Sequence, residues 1–485
     1  MVSNIGAKEM LRDFSTEVLM GESKFFDKNA VWQIESYIMN KIRLGLILAS
    51  VCFSLPVGMV CAQDFDSDPV VNIQDKKEHV KFTIGARMMS DVAYYNTEQT
   101  AMKSGAAITD ARIRTSMTYD NWYFYADFDF AGGKFSQKDI YLKYTMEGQR
   151  GTHSFKSGYY NNPASMANNT SRGGLHFISR ASVVNALSPG RQLGFSYRFY
   201  NKRFFANQGA FAENEYNDQP AGFQGLSIGG RWLYRPVNDE QNTLHVGLTF
   251  HYSHPMTGEE ELPGLLRTDV TLASKMQTYV DGTKQFLQAK IPWVDISYDL
   301  GAEFLYKRSD FFVRGEYVYK VLTKERDDEK LFEADLDGTW PTLEAWKKGN
   351  PLGTNHFHGG YVELGYKIFG DNYKYSDEDA VLKGLSGKTL EIVGRYDYVD
   401  LNDIKDSDVY HPANDQYYAG GVVSPAITSI SIGGGSMHSA TVGINYSFNK
   451  FVKTLVSYTY GRLDRDKFPV DQNFHTAQAR LIFQF

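Results

Sequence analysis

The chain has 485 residues, and past position 62 its apolar residues are scattered, with no run of about 18, which excludes a helical membrane protein. The formal net charge of −6 gives no basic face for nucleic acid. Tyr and Phe number 32 each beside 43 Gly, a content that suits strands and that soluble all-β proteins share.

Met39–Arg43 is a short basic segment, Leu44–Met59 an apolar stretch, and Val60-Cys61-Ala62 a cleavage site before Gln63. This layout is a secretory signal peptide over residues 39–62. Residues 1–38 have no place in it and read as a misassigned upstream extension, with Met39 the expected start. Cleavage removes both cysteines, Cys52 and Cys61, so the mature chain can form no disulfide and no thiolate metal site. Residues 63–79 are polar and acidic and read as a short, flexible periplasmic arm.

From Val80 onward the pattern has period two. Val80, Phe82, Ile84 and Ala86 alternate with Lys81, Thr83, Gly85 and Arg87. Trp122, Phe124, Ala126 and Phe128 alternate with Tyr123, Tyr125, Asp127 and Asp129, and Leu244, Val246, Leu248 and Phe250 with His245, Thr249 and His251. The final stretch sets Ala477, Ala479, Leu481, Phe483 and Phe485 against Thr476, Gln478, Arg480 and Gln484, with Ile482 the one exception. An oily face, a wet face and an aromatic last residue suit the closing strand of an outer-membrane barrel. The alternative is an amphipathic edge strand of a soluble sandwich.

About sixteen such strands of about 9–11 residues follow one another. Connections after even-numbered strands are short, as at Asp120-Asn121, Asn201-Lys202 and Asn449-Lys450. Those after odd-numbered strands are mostly long, as at 161–191, 253–293, 321–355 and 401–435. Two break the rule: 131–136 is short and 370–388 long. Sorting by parity is how outer-membrane barrels are built, and a sandwich has no reason for it. The expected fold is therefore all-β: a 16-stranded antiparallel transmembrane β-barrel over residues 80–485, with short periplasmic turns and long extracellular loops. Trp122, Tyr119, Tyr144, Tyr306, Tyr446, Tyr458 and Tyr460 fall near strand ends, as headgroup-level aromatics do.

Four stretches, in this order and spacing, resemble the phosphate-selective porin O and P family: Phe177-Ile178-Ser179-Arg180 with Ser188–Gly194, Gly229–Pro236, Leu390–Asp397, and Thr441–Tyr446 with the closing Arg480–Phe485. The resemblance implies an outer-membrane porin of a Gram-negative cell. It would pass small hydrophilic solutes, with anions such as phosphate favoured, through a homotrimer embedded in outer-membrane lipid. A different reading makes the barrel a scaffold or partner of a surface nutrient-uptake complex, closed by its own loops.

Selectivity in a pore follows charge at its narrowest point. The 161–191 connection is too long for a hairpin and holds Arg172, Arg180 and Arg191 with no acidic residue, so these three are the candidate anion-binding constriction. The alternative is a surface loop whose arginines pair with lipid phosphates. Arg112, Arg114, Arg198, Arg231, Arg314, Arg395 and Arg480 fall on wet faces and are expected to face the lumen. Acids share those faces, among them Asp127, Asp139, Glu303, Glu316, Glu363, Glu391 and Asp397, so the signs nearly balance and a ladder of paired charges is expected. His245/His251 and His356/His358 read as wet-face residues, since no third metal ligand follows at a usable spacing. Asp377-Glu378-Asp379 is a charged loop run without a calcium-loop signature. No nucleophile elbow and no phosphate-binding loop occur, so no enzyme activity, cofactor or metal is expected.

Overall fold

Residues that alternate in sequence sit on opposite faces of one closed sheet. The computed structural model describes residues 71–75, 79–98, 101–213, 225–256, 259–263, 265–282, 287–334, 340–349, 353–406, 408–411, 416–419, 431–464 and 472–485. The expected signal peptide, the expected upstream extension and both cysteines lie outside these residues.

Sixteen strands form the ring. They are β1 (Val80–Thr97), β2 (Gly105–Tyr119), β3 (Trp122–Asp129), β4 (Ser136–Gly148), β5 (Gly151–Asn161), β6 (Arg191–Tyr200), β7 (Phe204–Ala212) and β8 (Leu226–Asn238). Then come β9 (Thr243–His254), β10 (Val294–Arg308), β11 (Phe311–Lys324), β12 (Asn355–Phe369), β13 (Thr389–Asp403), β14 (Ile432–Ser447), β15 (Val452–Asp464) and β16 (Gln472–Gln484). Each pairs antiparallel with the next, and β16 returns to β1 with Arg87 opposite Gln484 and Thr97 opposite Phe474. Closure leaves no edge in the ring, as a lipid environment requires.

The outer face is greasy and the inner face polar. Leu248 is 62% exposed and Leu300 59%, whereas Arg231, Arg314 and Arg480 are each 1% exposed. A water-soluble protein does the reverse. The short turns share one device: Asn201, Asp239 and Asn449 each accept two backbone N–H groups through a side-chain oxygen, at 2.7–2.9 Å. Asx turns of this kind stop a strand within two or three residues.

The alternation fails where a loop lies on the wall. Ile482 and Met89 face inward because Ile178 of the 162–190 loop packs on them together with Leu455. At the long-loop ends of β11–β14, inward Leu322, Phe357, Val399, Leu401 and Met437 form one apolar core with Val183, Val184 and Leu187 of that loop and Leu272, Leu287 and Ile291 of a hairpin in the 255–293 loop. The arm differs from expectation: Val71–Asp75 is a strand, paired antiparallel with β1 from Ile84 to Val80. His356 and His358 also differ. They flank Phe357, which points inward and is fully buried, so both face outward, and His356 meets the Tyr319 hydroxyl at 2.8 Å.

Candidate functional site

The 162–190 loop crosses the lumen because wall carboxylates hold its backbone. Glu316 on β11 accepts from the N–H groups of Met166 (3.0 Å) and Ala167 (2.7 Å) and from the Ser165 hydroxyl (2.9 Å), at the start of α1 (Met166–Asn169). Asp397 on β13 accepts from the Ser182 N–H at 2.5 Å, opening α2 (Ser182–Leu187). Glu391 meets His176 at 2.9 Å. Carbonyls of the same loop are taken by wall arginines, Ser179 by Arg395 and Ile178 by Arg480, both at 2.7 Å. A loop without acids, laid against a wall that carries both signs, satisfies its polar backbone in this way.

A second segment enters from the opposite end. The 370–388 connection, which broke the parity rule, brings Asp377 to Arg235 (3.1 Å), Glu378 to Lys143 (2.5 Å) and Asp379 to Arg198 (3.0 Å). Arg231 donates to the carbonyls of Asp379 (2.9 Å) and Ala380 (2.6 Å). Burial would raise the Asp379 carboxyl, but Arg198, Lys156 and Lys143 outweigh it and hold it below the usual carboxylate range. The acidic run is thus an anchor set whose carboxylates pair with lumen cations while staying half-exposed.

Between the 162–190 loop and the wall of β1–β6 lies a cavity of about 230 Å³. Arg172, Arg180 and Arg191 all line it, as do Arg112, Arg114 and Arg198 from the wall. With Arg87 and Lys156 the lining holds eight basic side chains against three acids, Asp127, Asp139 and Asp379. The eight are not equivalent. Arg191 is held by Asp139 through two bonds at 3.0 and 3.2 Å, Arg87 and Arg112 share Asp110, and Arg112 also meets Asp127 at 2.8 Å. Arg172 donates to the Thr109 carbonyl at 2.8 Å and lies over the Tyr279 ring at 3.9 Å. Arg180 donates to the carbonyls of Ala167 (2.8 Å) and Thr170 (2.9 Å) and so braces the loop it belongs to. Among the described residues, Arg114, Lys156 and Arg180 contact no carboxylate.

Burial lowers both loop guanidiniums, Arg172 to about 10, so both stay charged at neutral pH. The Tyr279 phenol, which burial alone would raise, is instead pulled below its usual range by Arg172, Arg180 and Arg480.

Four arginines expected to face the lumen do so without lining the cavity. Arg231 is clamped on Glu303 at 2.7 Å, Arg314 on Glu363 at 2.7 Å and Arg480 on Asp91 at 2.6 Å, while Arg395 reaches Glu363 at 3.4 Å. The Arg231–Glu303 clamp spans two strands, over Gly247 of the strand between them, where a Cβ would come within 3.2 Å of Glu303. Sequence reasoning missed Lys156, whose amine lies 3.9 Å from the Tyr141 ring centre and 4.0 Å from that of Tyr160. It sits in the least regular of the strands, and the one signal was an unpaired Lys on a wet face. In the 253–293 loop, Lys290 pairs with Asp269 at 2.8 Å, and Lys284 lies outside the described residues.

The family model for the phosphate-selective porins O and P matches residues 82–485. The chain belongs to this family. It is accordingly an outer-membrane porin, a multi-pass barrel whose short turns are periplasmic, whose long loops are extracellular, and through which small hydrophilic solutes diffuse passively. Among solved structures, this porin is similar to OmpT of Vibrio cholerae (11% identity, 86% of this chain and 100% of that one, TM-score 0.46). It is also similar to the outer-membrane channel DcaP of Acinetobacter baumannii (12%, 85% and 99%, 0.45) and an anion-selective porin from Comamonas acidovorans (12%, 83% and 100%, 0.44). No curated protein matches the chain.

Proposed function

We propose that this porin prefers small anions, with the cavity between the 162–190 loop and the β1–β6 wall as its constriction. The observation that carries this is the set Arg114, Lys156 and Arg180, three cations on one cavity that contact no carboxylate. Phosphate, sulfate or carboxylates would meet them with charge-assisted hydrogen bonds, in a site where solvent screens little. The test is the reversal potential of the purified protein in a planar bilayer under a KCl gradient. Wild type should show chloride permeating faster than potassium. Arg114→Glu should move the potential towards cations, and an unmoved potential removes this wall from the constriction. Arg180→Glu is a poorer probe, because it also releases two carbonyls that shape the loop.

The scaffold reading keeps one supporting observation: loops from both ends enter the lumen, the 162–190 loop held by Glu316 and Asp397 and the 370–388 segment by Arg231 and Arg235. Conductance decides between the two, since a scaffold sealed by its own loops passes no steady current. A homotrimer is the state we propose in the membrane; a monomer mass in native mass spectrometry of detergent micelles would remove it.

A further inference from the structure

We propose that the same cavity is a subsite for an anionic sugar, a polyhydroxylated ring bearing a carboxylate or a phosphate, in preference to a bare inorganic oxyanion. The proposal rests on the anion preference argued above and adds what the uncharged part of the lining requires. Beside the cations the lining presents three tyrosines, Tyr125, Tyr141 and Tyr160. Tyr125 and Tyr141 are 5.4 Å apart at 32°, and Tyr141 and Tyr160 5.9 Å apart at 71°, so they form one continuous aromatic wall. Gly158, paired with Tyr141, places no side chain beside that ring. Arg114 on β2 stands beside the wall, and the Lys156 amine lies on the faces of Tyr141 and Tyr160, so among the described residues Tyr125 is the ring of the three with no cation on its face. A charge-only filter has no use for such rings. A sugar ring has one, since its C–H face stacks on an aromatic face while its anionic group takes the nearby cations.

The loop side of the cavity points the same way. Asn161, Asn168 and Asn169 line it. Asn169 spends both amide N–H groups on loop carbonyls, those of Asn162 (3.1 Å) and Ser165 (2.7 Å), while Asn161 and Asn168 spend one each, on the carbonyls of Asn168 (2.8 Å) and Pro189 (2.9 Å). That leaves three amide oxygens as acceptors beside two N–H donors. An inorganic oxyanion brings only acceptors and can use the two N–H groups alone. Ring hydroxyls donate as well as accept and can use both kinds.

The experiment is block of the chloride current through the full-length porin in planar bilayers by glucuronate, glucose 6-phosphate, acetate, inorganic phosphate and glucose. Glucuronate and glucose 6-phosphate should block at concentrations about tenfold below acetate and inorganic phosphate, as an added stacking contact implies, and uncharged glucose weakly. Tyr125→Leu and Tyr141→Leu should erase that surplus while block by acetate persists. Equal block by glucuronate and acetate in wild type overturns the proposal, and does so even if neither variant assembles. So does an equal loss of both blockers in the variants. A cation-selective reversal potential with the glucuronate surplus intact removes the anion preference and leaves the ring site standing.

Discussion

Arg231 and Arg114 occupy the inner face of the same barrel and do opposite work. Arg231, on the β8–β13 side, is 1% exposed, clamped on Glu303, and covered by the carbonyls of a turn folded in from the periplasm. Arg114, on the β1–β6 side, faces a cavity and contacts no carboxylate. The residue type and the face are shared; what differs is whether a carboxylate is bound, Asp127 opposite Arg114 being taken by Arg112, and whether a loop lies on top. A lumen arginine is therefore cement or lure according to its neighbours, and counting lumen arginines does not measure selectivity.

The comparison breaks most sharply at Arg231. Arg231→Met strands a buried Glu303 and two carbonyls, and should cost about 3–5 kcal/mol of stability. The measurement is the temperature at which the folded band shifts on a semi-native gel; the KCl reversal potential should hardly move. A shift in selectivity as large as that of Arg114→Glu would end the distinction between the two sides. Next in size is replacement of residues 375–382 by a short Gly-Ser bridge. With the turn gone from the lumen, single-channel conductance should rise roughly twofold. Unchanged conductance would mean that this segment obstructs nothing.

Smaller is Lys156→Gln, which should weaken anion preference and change stability by no more than about 1 kcal/mol, since no ion pair is lost. Smallest is the pH effect. Across neutral pH Arg172 and Arg180 keep their guanidinium charge and Asp379, its carboxyl depressed, remains ionised. On the alkaline side the anion preference should decline before ordinary tyrosines ionise near about pH 10. The Tyr279 phenol is depressed by its arginines, and as a phenolate it cancels one of their charges. Tyr279→Phe should reduce that early decline.

The barrel was legible in the sequence because its cause is local. Period two and loop parity need only neighbouring residues, and both survive in the structure from Val80 to Gln484. What failed was non-local. Ile482 looked like an error in an otherwise clean strand, and it faces inward because Ile178, some three hundred residues earlier in the chain, packs on it. The 370–388 connection was visible as an anomaly, but its destination depended on Arg198, Arg231 and Arg235, which no spacing rule links to it. For the candidate site, the loop arginines could be named from length and composition. Arg180's bonds to its own loop, and the pairing of Arg231 across an intervening strand, depend on register, which one sequence does not fix.

The seam where the ring closes has a topological consequence. Phe485 exchanges backbone bonds with Ala86 at 3.0 Å, and Val71 sits opposite Ile84, so a single position opposite Gly85 separates the end of β16 from the arm strand. Both run antiparallel to β1, hence in the same direction. One residue inserted between Phe485 and Val71 would make a single unbroken ribbon, and the polypeptide could then be cut open at an extracellular loop instead. Circular permutation of residues 71–485 is thus written into their geometry.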